Sequence, residues 1–257
     1  YVNDNYQGGD VVSVKSTDIK APVTKKNKRE KTMELKEFTI QKARPMPVII
    51  LADTSGSMSV NGKIEALNDA IKDMVATFAD ESRRMAEIQV GLVTFGGDAP
   101  KLHLPLAAAH KIKDLELMKA EGRTPMGGAL ELVANLLEDK ELIPSRAYRP
   151  ALVLLSDGHP TDEWQKGLRE LCNSERAKKA TRFAMAIGSD ADESILKEFI
   201  NDLEAPLFRA HQARDIHKFF RAITMSVTTR TRSQSPNDVP AIDFNDFLDD
   251  DDLELKF

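Results

Sequence analysis

The chain has 257 residues, enough for one α/β domain with appendages or two small domains, and its 41% apolar content can build a sizeable core. A formal charge of −5 argues against general nucleic-acid binding, and no apolar run approaches the roughly 20 residues needed to cross a bilayer. The one cysteine, Cys172, excludes an intramolecular disulfide and points to a reducing, cytoplasmic setting.

Charge is unevenly spread along the chain. Lys20 to Lys36 is basic, and no signal-peptide pattern is visible at Tyr1. Residues 1–44 read as a basic, flexible lead-in, within which Val11 to Ile19 and Leu35 to Ile40 have the composition of short strands. Pro45 and Pro47 then punctuate the approach to the core. Val48 to Ala52 is apolar without polar alternation, as expected of a strand buried on both faces, and it stops abruptly in Asp53-Thr-Ser55-Gly-Ser57.

An amphipathic helix follows, with Ile64, Leu67, Ile71, Met74, Val75 and Phe78 on one face and Lys63, Asp69, Lys72 and Asp73 on the other. Ile88 to Phe95 is a second strand. Lys101 to Leu106 alternates as a half-exposed edge strand, and Pro105 supports the edge because it has no N–H to donate. A loop, Glu121 to Gly128, leads into a helix with Leu130, Val133, Ala134 and Leu137 on one face. Ala151 to Leu155 is another doubly buried strand, ending in Ser156-Asp157-Gly158-His159-Pro160-Thr161-Asp162. A helix from Trp164 to about Lys179, a strand Arg182 to Ile187, a helix Ser194 to Asn201, a short strand Leu207 to Ala210 and a helix Asp215 to Thr228 complete the pattern. Strands alternating with helices predict a doubly wound, mostly parallel six-stranded sheet with helices on both faces and one antiparallel edge strand. Residues 45–229 form this domain; residues 230–257 read as a linker and an acidic tail, Asp243 to Glu254, with Phe244, Phe247 and Leu248 spaced among the acids.

In an open α/β sheet, ligands bind in the crevice at the carboxyl ends of the strands. Three predicted loops meet there, carrying Asp53, Ser55 and Ser57, then Thr124, then Asp157. Two carboxylates and three hydroxyls suit a hard divalent cation in an octahedral oxygen site, with room for water or a ligand. The hydroxyls are neutral, so the loaded site stays electrophilic and attracts an acidic group. An all-carboxylate cage would neutralise the ion and repel that group.

These motifs, Asp-x-Ser-Gly-Ser after a buried strand, Thr-Pro before a helix and a strand ending in Ser-Asp-Gly, resemble the von Willebrand factor A family and its metal-ion-dependent adhesion site. The resemblance covers roughly Pro47 to Thr228. It implies that Ser55, Ser57 and Thr124 offer direct oxygens, that Asp53 and Asp157 act directly or through waters, and that a partner's acidic residue completes the coordination. Asp53 to Ser59, Gly122 to Leu130 and Ser156 to Trp164 are also similar to the bacterial TerY-type branch associated with tellurite-resistance clusters. That likeness implies a cytoplasmic stress-response protein working beside a protein kinase or phosphatase.

The expectation is therefore a non-enzymatic, metal-dependent protein-binding scaffold with magnesium, or else manganese or calcium, at Asp53, Ser55, Ser57, Thr124 and Asp157. The acidic tail reads either as a docking segment that folds on a partner or as a solubilising end. The alternative is a magnesium-dependent phosphohydrolase with an aspartyl nucleophile. That class needs a second Asp two positions after the first, where Ser55 stands. A P-loop is excluded, because Gly56 is one residue too far from Gly62-Lys63 and Ile64 replaces the hydroxyl. Asp162 reads either as a partner-reading rim residue with His159 and Trp164 or as the cap of the helix that follows it. The remaining histidines share no zinc-like spacing, and Arg123 either meets an acidic ligand or faces solvent.

Overall fold

A run such as Val48 to Ala52 can lose water on both faces only in the interior of a sheet. In the computed structural model, which describes residues 43–81, 86–200, 202 and 205–238, that run is the second half of strand β1 (Arg44–Asp53). The other elements are α1 (Lys63–Glu81), β2 (Ala86–Phe95), β3 (Lys101–Ala108), α2 (Met126–Glu138), β4 (Ala151–Ser156), α3 (Trp164–Asn173), β5 (Thr181–Ile187), α4 (Glu193–Ile200), β6 (Phe208–Ala210) and α5 (Ala213–Arg232). The sheet has six strands in the order β3-β2-β1-β4-β5-β6. Every pairing is parallel except that of β3 with β2. The chain leaves β1 for β2 and β3 on one side, then returns to β4 on the other. That reversal opens a crevice at the carboxyl end of β1.

The pleat of β1 divides its side chains between two hydrophobic layers. Met46, Val48, Ile50 and Ala52 pack with α1 and α5, against Leu67, Ile71, Phe78, Phe219 and Ile223. Ile49 and Leu51 pack with α2, α3 and α4, against Leu130, Val133, Leu171 and Phe199. The predicted apolar faces of α1 and α2 are buried as expected. Each such side chain contributes about 1.5–3 kcal/mol through lost contact with water. Pro105 lies on β3, the antiparallel edge, within an irregular stretch of its pairing with β2.

Three boundaries differ from the sequence-based expectation by more than two residues, each for a local reason. Pro45 and Pro47 are inside β1, not ahead of it. β1 pairs with β2 along its whole length but with β4 only from Val48 onward. Tyr148 N–H donates to Pro45 O (2.9 Å), so the two prolines present their missing donors to the side without a strand partner. The helix from Trp164 ends at Asn173, where Ser174 is extended and its hydroxyl accepts the N–H of Ala177, starting a separate short turn (Ala177–Lys179). α4 is described as far as Ile200, and Asn201, the last residue expected in it, lies outside the described residues. α5 runs on to Arg232, past Thr228, because Val227, Arg230 and Thr231 are all buried. The expected strands at Val11 to Ile19 and Leu35 to Ile40, and the acidic tail, also lie outside the described residues. No helix among the described residues is long and apolar enough to cross a membrane.

Candidate metal centre

β1 delivers Asp53 to the floor of the crevice with none of its surface exposed. The chain turns at once, with Ser55 N–H donating to Asp53 Oδ1 (2.8 Å). A short turn (Gly56–Ser59) follows, closed by Ser59 Oγ on Gly56 O (2.7 Å). β4 ends beside it. Ser156 Oγ donates to Asp53 Oδ2 (2.6 Å), so both Asp53 oxygens are held. Ser57 Oγ donates to Asp157 Oδ1 (2.6 Å) and lies 3.0 Å from Ser55 Oγ. Four of the five expected residues, Asp53, Ser55, Ser57 and Asp157, therefore converge through direct bonds within and between two loops.

Thr124 is buried and joins them through its backbone. Gly56 N–H donates to Gly122 O (3.1 Å) and Glu121 N–H to Thr54 O (2.8 Å), fastening the second loop to the first. Thr161 N–H donates to Thr124 O (2.9 Å) and Thr124 N–H to Thr161 Oγ1 (3.2 Å), fastening it to the third. Two glycines permit this crowding. A Cβ on Gly96 would lie 2.3 Å from Thr54 O, and one on Gly122, whose φ is +66°, would lie 2.5 Å from Gly97 Cα.

Burial pushes the Asp53 carboxyl above the usual aspartate range, and the nearby charge of Asp157 adds to the rise. The Ser156 hydroxyl and Ser55 pull it back. Two buried carboxylates served mainly by neutral hydroxyls are the donor chemistry that favours a hard cation. Among the described residues there is no group of three or more His, Cys, Asp or Glu suited to a metal. The residues present thus fit a hydroxyl-rich oxygen site, not an imidazole or thiolate one.

A sequence profile of the von Willebrand factor type A domain matches residues 48–222. The chain belongs to that family. Domains of this family are commonly metal-dependent protein-interaction modules. The von Willebrand factor type A chain is 25% identical over 240 residues to pig (Sus scrofa) inter-alpha-trypsin inhibitor heavy chain H4, covering 76% of this chain and 25% of that protein. It is 29% identical over 118 residues to the Xenopus laevis collagen alpha-1(XXI) chain, covering 44% of this chain and 12% of that one. It thus spans a quarter or less of these curated relatives' length. Among solved structures, proximal thread matrix protein 1 from the mussel byssus, with a zinc-occupied adhesion-site motif, superposes with a TM-score of 0.58 at 17% identity, covering 72% of this chain and 48% of its own. A von Willebrand factor type A protein from Catenulispora acidiphila gives 0.55 at 19% identity, covering 72% and 43%. At such identities these two likenesses concern the fold.

Two residues of the site escaped the sequence reading. Lys63, assigned to the polar face of α1, turns inward, and its Nζ lies 2.7 Å from Asp157 Oδ2. In the sequence, Ser156 stands only as part of the strand-end motif. A hydroxyl next to a strand-end Asp was the available signal for Ser156; Lys63 offered none, being 94 residues from its partner. Asp162 does cap a helix, but a different one from that expected. Its carboxylate accepts Gly127 N–H (2.8 Å) and Gly128 N–H (2.9 Å) at the start of α2, not α3. With Met126 N–H on Thr124 O (2.9 Å), the first turn of α2 is served without the Thr124 hydroxyl. His159 pairs with Asp192 (3.2 Å), Trp164 packs against the α2–α3–α4 layer, and Arg123 is exposed at the rim.

Proposed function

We propose that this chain is a metal-dependent capture module for acidic protein segments. Asp53, Ser55, Ser57, Thr124 and Asp157 hold a divalent cation, magnesium first and manganese or calcium otherwise. The observation that carries this reading is the pair of buried carboxylates at one strand-end crevice, linked through Ser55 on Asp53 and Ser57 on Asp157. When bound, the ion supplies positive charge and a coordination position for a partner's Asp or Glu. Asp53 stays fixed because Ser156 and the Ser55 N–H hold its two oxygens. Ser57 orients Asp157, and the backbone ties between loops keep Thr124 beside them. The zinc in the mussel protein's adhesion-site motif supports a cation at this position.

A binding role is favoured over phosphoryl chemistry. Asp53 is wholly buried with both oxygens already hydrogen-bonded, and Ser55 supplies no acid or base. The TerY-like runs around Thr124 and Asp157 support a cytoplasmic stress-response setting with a kinase or phosphatase as partner, residues 45–229 acting as the binding domain and the acidic tail as a second docking segment.

Calorimetric titration of the full chain with magnesium or manganese, beside Asp53→Ala, tests the site. The expected result is uptake by the wild type and at least about a hundredfold weaker uptake by a variant that keeps its circular dichroism, since even outer-shell changes cost up to that much. Unchanged uptake by the variant overturns the assignment. Release of phosphate from a generic ester, abolished by the same substitution, would overturn the binding reading.

A further inference from the structure

Lys63 is the first residue of α1, where the helix dipole disfavours a cation. Its direction therefore needs a local cause, and Asp157 is that cause. The Asp157 side chain is fully buried and uses both oxygens, one for Ser57 Oγ (2.6 Å) and the other for Lys63 Nζ (2.7 Å). The Lys63 side chain is only 19% exposed and runs beside a cavity of about 530 Å³ lined by Ser57, Gly188, Ser189, Asp190, His211 and Gln212. That cavity gives the ammonium somewhere to go.

Resting on the metal-site reading above, we propose that Lys63 is a tethered cation that sets the charge of the centre, weakening capture of the divalent ion and strengthening capture of the partner's carboxylate. Asp53, Asp157 and Lys63 together carry one negative charge. A divalent ion turns this into one positive charge, and an incoming carboxylate neutralises it. Without Lys63 the two aspartates alone would cancel the ion, and the carboxylate would meet a neutral site. The ion also competes with the ammonium for Asp157, so the Lys63 head either yields Oδ2 and moves into the adjoining cavity or stays and repels the ion. Both weaken ion binding in the same direction. A simple strut between α1 and the β4 loop predicts something different: its loss would loosen the site and weaken both the ion and the carboxylate.

The test uses the full chain, manganese as the ion and acetate as the carboxylate. Binding is read by water-proton relaxation, with acetate displacing water from the bound ion. Lys63→Met and Lys63→Gln are both expected to bind manganese about tenfold tighter, by relief of a repulsion across a few ångströms, and to bind acetate several-fold more weakly once loaded. Lys63→Arg keeps the charge and stays within about threefold of the wild type in both. Manganese should also raise the melting temperature of Lys63→Gln by more than that of the wild type. Equal or weaker manganese binding in both neutral variants overturns the role of Lys63 while leaving the metal site intact. No manganese uptake by the wild type overturns the site itself, and the inference with it.

Discussion

At the carboxyl end of the sheet the buried charges are carboxylates; at the amino end they are guanidiniums. Asp53 and Asp157 face one another across hydroxyls, and among the described residues Lys63 brings the opposite charge, to Asp157. Arg230, at the end of α5, is 1% exposed and donates to Arg149 O (2.7 Å) and Pro236 O (3.0 Å). Arg182, at the start of β5, donates to Phe199 O (3.0 Å) and Ala177 O (3.1 Å). Phe199 lies in the last turn of α4, where the backbone carries partial negative charge and suits a cation, and Arg149 and Pro236 lie in loops. The amino-end guanidiniums are met mainly by backbone carbonyls, whereas the carboxyl end gathers like charges that its own groups only partly balance. Burial of charge does not by itself mark a site. What marks it is whether the fold balances that charge.

The largest effect that would break this contrast is expected at Arg230. Burial lowers its pKa to about 10, so it remains charged at neutral pH and depends on the two carbonyls it serves. Its Nη1 has no hydrogen-bond partner among the described residues, so even here the balance is incomplete. Arg230→Ala removes both bonds and leaves a void where a buried side chain stood. It should cost about 3 kcal/mol in a denaturant titration. Divalent-ion affinity should stay within about twofold, because the two ends share no partners. A matching loss of ion binding would show that the ends are coupled.

How far the sequence reveals this contrast depends on the range of each interaction. Val48 to Ala52 and Ala151 to Leu155 announce a doubly covered sheet because continuous apolarity has few other uses, and both lie inside it. The helical faces of α1 and α2 are likewise written in local periodicity. Asp53, Ser55 and Ser57 are legible because a single turn gathers them. Lys63 and Asp162 are not, since a lysine on a polar face and an aspartate before a helix each have an ordinary local explanation. Their true partners are set by how loops from different strands meet, at 94 and 35 residues' separation. In the sequence Arg230 stands at the edge of a linker, and tertiary packing of the last turn of α5 buries it.

A smaller effect is expected at Asp162, which separates a scaffold role from a partner-reading one at the carboxyl end. Its carboxylate caps α2 from another loop, and that loop also holds Thr124 through Thr161. Asp162→Ala should lower stability by about 1 kcal/mol, the usual cost of a lost cap. Manganese affinity should fall a few-fold at the same time, as the Thr124 loop loosens. Undiminished stability with weaker partner capture would instead make Asp162 part of the recognition rim.

The smallest effect concerns a carboxylate at the amino end, Glu138, which titrates in the opposite sense to Asp53. The Ser174 hydroxyl donates to Glu138 Oε1 (2.5 Å), and that bond, against a smaller opposing effect of burial, holds the Glu138 carboxyl below its ordinary range. A group whose folded pKa is depressed adds stability above its unfolded pKa, here 4.5, and loses it as pH falls through the folded value. Asp53 is raised by burial, so in the metal-free protein its ionisation subtracts stability as pH rises above 3.8 and through its folded value. Ser174→Ala removes the first contribution and leaves the second. The variant should therefore be slightly less stable than the wild type near neutrality, with Glu138 titrating higher by carboxyl-carbon magnetic resonance. The two proteins should converge in stability as pH falls below 4.5 and on through the depressed folded value of the wild type, where Glu138 becomes protonated in both. A stability gap that persists in acid would mean that Ser174 acts by stopping α3 and starting the turn at Ala177, through the hydroxyl's bond to the Ala177 N–H (3.1 Å), and not through the charge of Glu138.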